Sequence, residues 1–355
     1  MTERVAILCG GRSSEHEISC ISAGGVVGAI DRSKFTPIII GITKSGKWVH
    51  IAEDFPLRIV DGVLPVIPED APTVVADVAG FSVGGAPLNI DIVFPVLHGP
   101  YGEDGTIQGM LEMADIPYVG SGVLASAVAM DKSFAKPIFA SHGIKVADGI
   151  TVTAERWKSD AGGVTKEATS LSYPVFVKPA RGGSSRGTHK VKSEGELAAA
   201  LNDAFLYDSK VMIENAVIGS EIECAVLEIN GEAKASVVGK ISIDSKFEFY
   251  DFEAKYLDGA TTIELPAPID EKIADQIRVQ AIKAFKALDC RGLARVDFFL
   301  TSNNEIIINE LNTMPGFTPT SVFPKMWAAT GIGYTEIINH LLQTALTRNN
   351  GVLGN

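Results

Sequence analysis

Three runs leave little freedom in how the first third of this chain can fold. VAILCGG (5–11), FTPIIIGI (35–42) and DIVFPVLH (91–98) are almost unbroken in apolar residues. A strand with one wet face alternates apolar and polar positions. Strands apolar on both faces belong to a parallel sheet covered by helices. The stretch after the first run supplies such a helix: ISCISAGGVVGAI has the length, and Ser14 with Glu17 has capping-box spacing. KWVHI adds a short strand, and IPYVGSG closes the unit near residue 120.

The pattern then changes. A helical stretch, LASAVAMDKSFAKPIFASHG, leads to the strand YPVFVK (173–178), the helix SEGELAAALNDAF and the strand KVMIENA. Beyond residue 218 the strands lengthen. EIECAVLEI and EAKASVVGKI meet at Asn230-Gly231, a pair suited to a type I′ hairpin turn. The segment DEKIADQIRVQAIKAFKALDC reads as an amphipathic helix with Ile273, Ile277, Ala281, Phe285 and Leu288 on its apolar face. The expectation is an α/β unit with a parallel sheet over 1–120, then two α+β units over 121–217 and 218–355.

Composition narrows the function. The chain has 355 residues, 46% of them hydrophobic, enough for a large core. A net charge of −12 argues against a nucleic-acid or anionic-membrane surface, which needs basic stripes. The cysteines Cys9, Cys20, Cys224 and Cys290 are scattered, as expected of reduced, buried thiols. MTERVAILCGG is too short for a signal peptide, and no uncharged run reaches the roughly 18 residues of a membrane helix. These features point to a soluble intracellular protein.

The most pointed chemistry lies in LARVDFFLTSNNEIIINELNTMPG (293–316). Two β-rich runs flank Asn303-Asn304, which suits a two-residue hairpin loop. That loop pairs Ser302 with Glu305, sets Asp297 opposite Glu310 and sets Arg295 opposite Asn312, all four on one face. Directly opposed carboxylates repel, so positive charge belongs between them. Oxygen donors with one carboxamide suit Mg²⁺ or Mn²⁺ better than zinc. The competing reading is a solvated sheet face on which Arg295 neutralises the acids.

Other stretches are weaker alone. VFVKPARGGSSRGTHKV (175–191) sets Lys178 at a strand end before a Gly/Ser loop that includes Ser184 and Ser185. Such loops form anion nests, although this one lacks the Walker A ending and could be a plain surface loop. HGPYGEDG (98–105) follows a buried strand, where open sheets place ligand groups; His98, Glu103 and Asp104 could bind there or form a charged turn. Glu15 in GGRSSEHEIS lies near a helix start, where an acid is favoured with or without a substrate ammonium. GSGVLA (120–125) matches a dinucleotide fingerprint but sits away from the first βα turn, so its glycines read as close packing. FYDFEAKYLDGATT (249–262) is either an aromatic surface loop or a lid carrying Lys255 and Tyr256.

Taken in order, Glu15 in GGRSSEHEIS, HGPYGEDG, MDK (130–132), VKPARGGSS, ENAVIGSEIE, EAKYLDG, ARVDFF and INELNTMPGFTPTS resemble the D-alanine–D-alanine ligases of the ATP-grasp superfamily, over about residues 5–345. The resemblance implies a three-domain fold with ATP between the central and C-terminal domains. It implies two D-alanine molecules joined through an acyl phosphate, with release of ADP and phosphate, for peptidoglycan precursors. Lys132 and Lys178, with Ser184 and Ser185, would contact the phosphates; Glu214 would lie near adenine and Glu221 at the ribose. Asp297, Glu310 and Asn312 would hold two Mg²⁺ or Mn²⁺ ions. Glu15 would bind the first substrate's ammonium, linked to Ser184 and Tyr256. His98 would lie near the substrates, and Ser321, beside Val322, would take the second substrate's carboxylate. Arg295 and the Gly316 N–H would face the oxyanion, and Lys255 with Tyr256 would close the site. A cytoplasmic homodimer is also implied. Tyr256 favours the dipeptide over a D-lactate or D-serine product. Arg186 and the pair Val322-Phe323 depart from the family's usual residues, which bears on the phosphate loop and the second-substrate pocket.

Overall fold

The computed structural model describes residues 2–243 and 261–347. The first apolar runs become β1 (Glu3–Gly10) and β2 (Phe35–Ile42), paired in parallel, with β3 (Trp48–Ile51) added antiparallel at the edge. A small sheet of β4 (Val74–Asp77), β5 (Gly80–Val83) and β6 (Ala86–Pro87) precedes β7 (Ile92–Pro95). β7 lies parallel on the other side of β1, giving the order β3-β2-β1-β7. The β1 and β7 ends therefore open at a topological switch point, where α/β sheets bind ligands.

Helix α1 (His16–Ala29) follows β1, but the expected capping box is absent. Glu15 holds the N-cap position without capping the helix through its side chain, and Glu17 turns out to Lys44 at 2.5 Å. Helix α2 (Thr106–Met113) follows the HGPYGEDG loop. The single helical stretch expected after residue 122 is two helices, α3 (Val123–Met130) and α4 (Lys132–Ser141). Asp131 separates them: it is extended, and its carboxylate caps α4 at Ser133 N while pairing with Lys210 at 2.6 Å.

The central sheet is antiparallel, of β8 (Gly149–Thr153), β9 (Val175–Pro179), β10 (His189–Val191) and β11 (Lys210–Asn215), in the order β10-β9-β11-β8. Helices α5 (Ala154–Ser159), α6 (Ala161–Ala168) and α7 (Glu194–Ala204) complete this part. The third sheet is β12 (Gly219–Ile229), β13 (Glu232–Ile243), β14 (Thr261–Glu264), β15 (Leu293–Thr301) and β16 (Ile306–Asn312). Its order is β14-β13-β12-β15-β16. Asn230 and Gly231 both have positive φ, 53° and 78°, as the β12–β13 turn requires. Helix α8 (Glu271–Ala287) packs Ile277, Ala281 and Phe285 against Val226, Val296 and Phe298 of this sheet. Helices α9 (Val322–Thr330) and α10 (Tyr334–Thr347) follow, and α10 returns to the first unit. Its Ile337, Leu341 and Leu342 share one core with Val5, Ile7 and Cys9 of β1 and with Leu227 of β12. All four cysteines are buried and unpaired.

The β15–β16 hairpin corrects the expected loop and keeps the expected site. The loop has three residues, not two: Thr301 N bonds Glu305 O, and Asn304 takes the left-handed position at φ 60°. Phe298 accordingly pairs with Ile308 and Leu300 with Ile306, one residue off the expected register. A bulge at Asn309 then restores it, so Asp297 faces Glu310 and Arg295 faces Asn312.

Candidate active site

A cleft of about 1190 Å³ opens where the three sheets converge. The first unit supplies Glu15, His98 and Glu103, the central sheet Lys178 and the 182–185 loop, and the third sheet the 295–297 and 309–312 segments. Asp297 and Glu310 are 14% and 18% exposed at their side chains, so this face lines a cleft and is not an outer solvated face.

Protein cations compensate the opposed acids. Arg295 grips Asp297 with two bonds of 2.7 Å, and Asn312 Nδ2 donates to Asp297 at 3.1 Å. Arg295 Nε also lies 3.2 Å from Glu223, two residues after Glu221 and on the same face of β12. Lys132, the first residue of α4, reaches Glu310 at 3.0 Å and the Gly182 carbonyl at 3.0 Å. Burial opposes its charge, but Glu310, Glu214 and Glu103 outweigh burial and raise its pKa. One turn later Lys136 pairs with Glu214 at 2.5 Å, and Lys178 pairs with the other oxygen of Glu214 at 2.6 Å. Burial alone would raise the Glu214 carboxyl; the two lysines overcome it and hold the group at about 2. Burial wins at Lys136, whose ammonium falls to about 8 despite Glu214. The bulge turns Asn309 to the same side, with Oδ1 3.3 Å from Lys178 Nζ.

The first unit closes the other end. Ser184 Oγ donates to Glu15 Oε1 at 2.6 Å, tying the Gly/Ser loop to the start of α1. Ser184 and Ser185 both have left-handed φ, 50° and 55°, a conformation costing each about 1 kcal/mol or more. Gly99 has φ 75°, and a Cβ there would meet Glu15 Oε2 at 2.8 Å. Glu103 receives the Gly99 N–H at 2.6 Å and the Met314 N–H at 3.0 Å, linking the HGPYGEDG loop to the loop after β16. Burial, then Glu15, pushes its carboxyl up to about 8. His98 spans the same gap. Its Nδ1 donates to the Met314 carbonyl at 3.0 Å, so Nε2 accepts from Ser22 Oγ at 3.0 Å. That neutral tautomer agrees with a pKa lowered by burial.

The expected site residues Glu15, His98, Lys132, Lys178, Ser184, Ser185, Glu214, Glu221, Arg295, Asp297, Glu310, Asn312, Gly316, Ser321 and Val322 all line this cleft. Ser321 is the N-cap residue of α9; its Oγ accepts from Thr318 N at 3.1 Å. Lys255 and Tyr256 lie outside the described residues. Asp104 caps the turn at Tyr101 N and Thr106 N, the structural alternative. Arg186 is exposed and does not line the cleft, and Phe323 packs into the core against Phe317. GSGVLA lies away from the cleft, and close packing does not explain its glycines: a Cβ at Gly120 would meet nothing within 4 Å and one at Gly122 only Tyr118 Oη at 3.7 Å, while Gly120 takes a left-handed φ of 102°. Lys136, Glu223 and Asn309 belong to the site and were not anticipated. Lys136 had a legible signal, the i, i+4 spacing from Lys132.

The donor set at the sheet end is two carboxylates and a carboxamide; among the described residues no three His, Cys, Asp or Glu side chains form a metal cluster. Oxygen ligands of this kind fit a hard divalent cation.

Two antiparallel sheets facing across a lysine-rich cleft, closed by a parallel α/β unit, define an ATP-grasp enzyme. Models of the D-ala D-ala ligase N-terminus and C-terminus match residues 4–121 and 138–343. The chain belongs to the D-alanine–D-alanine ligase family. It is 48% identical to the D-alanine–D-alanine ligase of Paenarthrobacter aurescens (strain TC1), over 98% of this chain and 96% of that protein. The VanG D-Ala:D-Ser ligase of Enterococcus faecalis superposes with a TM-score of 0.85 at 37% identity, covering 97% of this chain and 100% of that one. The D-alanine–D-alanine ligase of Coxiella burnetii gives 0.84 at 35% identity, with 98% and 95% covered.

Proposed function

We propose that the protein joins two D-alanine molecules into D-alanyl-D-alanine, using ATP through an acyl phosphate. The observation that carries the reading is the cleft itself. Opposed Asp297 and Glu310, with Lys132 and Lys178 beside them, face Glu15 and the Gly/Ser loop. One end suits a polyphosphate and the other a small zwitterion.

Lys132, Lys178 and the loop bearing Ser184 and Ser185 bind the ATP phosphates. Glu221 takes the ribose hydroxyls, and Glu214 lies toward adenine while holding Lys178. Asp297, Glu310 and Asn312 are the residues that would hold Mg²⁺ or Mn²⁺, two ions by family. Bound there, divalent ions would screen phosphate charge and orient the phosphoryl group for transfer. Glu15 binds the ammonium of the first D-alanine, held by its bond from Ser184. The substrate carboxylate attacks the γ-phosphorus, ADP leaves, and the carboxylate becomes an electrophilic acyl phosphate. The second D-alanine, its carboxylate at Ser321 beside Val322 and its amine deprotonated, attacks the acyl carbon. Arg295 and the Gly316 N–H stabilise the oxyanion, and phosphate departs. Neutral His98 braces the substrate end. Lys255 and Tyr256, carried over from the family, exclude water. A homodimer in the cytoplasm is carried over in the same way; among the described residues no helix is long and apolar enough to cross a membrane.

Phosphate release from ATP and Mg²⁺ tests this directly, with D-alanine, L-alanine, D-lactate and D-serine compared and products identified by mass spectrometry. Release that needs D-alanine alone and yields the dipeptide is the expected result. A mixed D-alanyl-D-serine or D-lactate product would move the protein to the relatives with another second substrate. Release indifferent to D-alanine would overturn the proposal.

A further inference from the structure

Glu214 is a carboxylate with two masters. Its Oε2 pairs with Lys178 at 2.6 Å and its Oε1 with Lys136 at 2.5 Å. Both Glu214 and Lys136 are 5% exposed at their side chains, whereas Lys178 is 13% exposed. Beyond that ion pair with Lys136, Oε1 has no hydrogen-bond partner among the described groups. Lys132 and Lys136 stand one turn apart on α4, and the first is already engaged by Glu310 and the Gly182 carbonyl. Among the described residues Lys136 is therefore the one cation dedicated to Glu214.

A lysine that must turn to a phosphate has to leave its carboxylate. A buried carboxylate left without a cation is strongly unfavourable, and one with two free oxygens would hold its last lysine more firmly. We propose that Lys136 is a positioning residue: it stays on Glu214 as a resident counter-ion, so that Lys178 can pass from Glu214 to the phosphates of ATP. The inference rests on the reading of Lys178 as a phosphate ligand. Asn309, 3.3 Å from Lys178, gives that side chain a neutral foothold during the exchange.

The test is a mutant cycle on the full-length enzyme, with Lys136→Met and Glu214→Gln alone and combined, and Lys136→Arg as the conservative variant. Steady-state kinetics separate the KM for ATP from kcat and from the KM for D-alanine, and calorimetry with ADP and Mg²⁺ reads binding on folded protein. Lys136→Met should raise the KM for ATP by about tenfold or more, and Lys136→Arg should retain most of the affinity. In the Glu214→Gln background, where no carboxylate needs a counter-ion, Lys136→Met should change the KM for ATP by no more than about twofold. An equal loss in both backgrounds, or a loss in kcat alone, would overturn the proposal. Lys178→Met separates the two levels of inference. If it weakens nucleotide binding and Lys136→Met does not, the counter-ion role fails and the ATP site stands. If the wild-type protein binds no nucleotide, both fail.

Discussion

At the scale of single residues, Glu103 shows how the protein ties ionisation to assembly. Its carboxylate receives N–H groups from Gly99 and from Met314, segments more than two hundred positions apart in the chain. Burial and the neighbouring Glu15 push it from 4.5 to about 8. The folded state therefore binds this proton more tightly than the unfolded chain does. Its contribution to stability is fully present below pH 4.5 and is lost as pH rises through about 8. Glu214, held at about 2 against 4.5, works in the opposite sense: its contribution is present above pH 4.5 and lost as pH falls toward 2. Thermal unfolding across pH 5 to 9 should show a declining limb that Glu103→Gln flattens. A wild-type limb no steeper than that of the variant would assign the pH dependence elsewhere. HGPYGEDG marks Glu103 as a residue able to bind a ligand, but a sequence does not reveal that a carboxylate will lie buried beside Glu15. Lys136, by contrast, is legible from its i, i+4 spacing to Lys132.

At the scale of elements, the β15–β16 hairpin explains how the expected pairs of residues came from an incorrect turn. Asn303-Asn304 marked the loop, and alternation put Arg295, Asp297, Glu310 and Asn312 on one face. The actual loop is one residue longer, which would have displaced every pair, and the Asn309 bulge cancels the shift before the acids are reached. Nothing in EIIINEL announces a bulge. The same holds for α1, where Ser14 and Glu17 had the right spacing while the chain turned instead to present Glu15 to the cleft. The apolar runs of β1 and β2, by contrast, were legible because burial on both faces leaves only one kind of sheet. The bulge makes its own prediction. Deleting Asn309 would leave a continuous ladder with Asp297 still opposite Glu310, while removing the amide beside Lys178. The deletion should cost less than about 2 kcal/mol of stability yet reduce kcat/KM for ATP by roughly tenfold or more. Urea denaturation and ATP kinetics on the same preparation check it. Normal kinetics would mean that the bulge serves only to correct the register.

At the scale of the whole molecule, the first and last segments share one apolar core. Leu341 and Leu342 of α10 are 1% and 0% exposed, in the core that holds Val5 and Ile7 of β1 and Leu227 of β12. Three elements far apart in sequence therefore share one apolar cluster. The cleft depends on that arrangement, since Glu15 and His98 hang from the first sheet and Asp297 and Glu310 from the third. Leu342→Ala removes buried methyl groups from this junction and should cost about 2–5 kcal/mol. If the cluster is cooperative, the loss will not stay in α10. Hydrogen exchange should speed up in β1 and β12 together, by a similar free energy, while the central sheet, whose core of Val175, Val177 and Ile213 is separate, keeps more of its protection. With Lys178 proposed for the nucleotide and Glu15 for D-alanine, the KM for D-alanine should rise before the KM for ATP. Exchange that accelerates only from residue 334 onward, with both KM values unchanged, would show that α10 merely covers the first unit and that the cleft geometry is set without it.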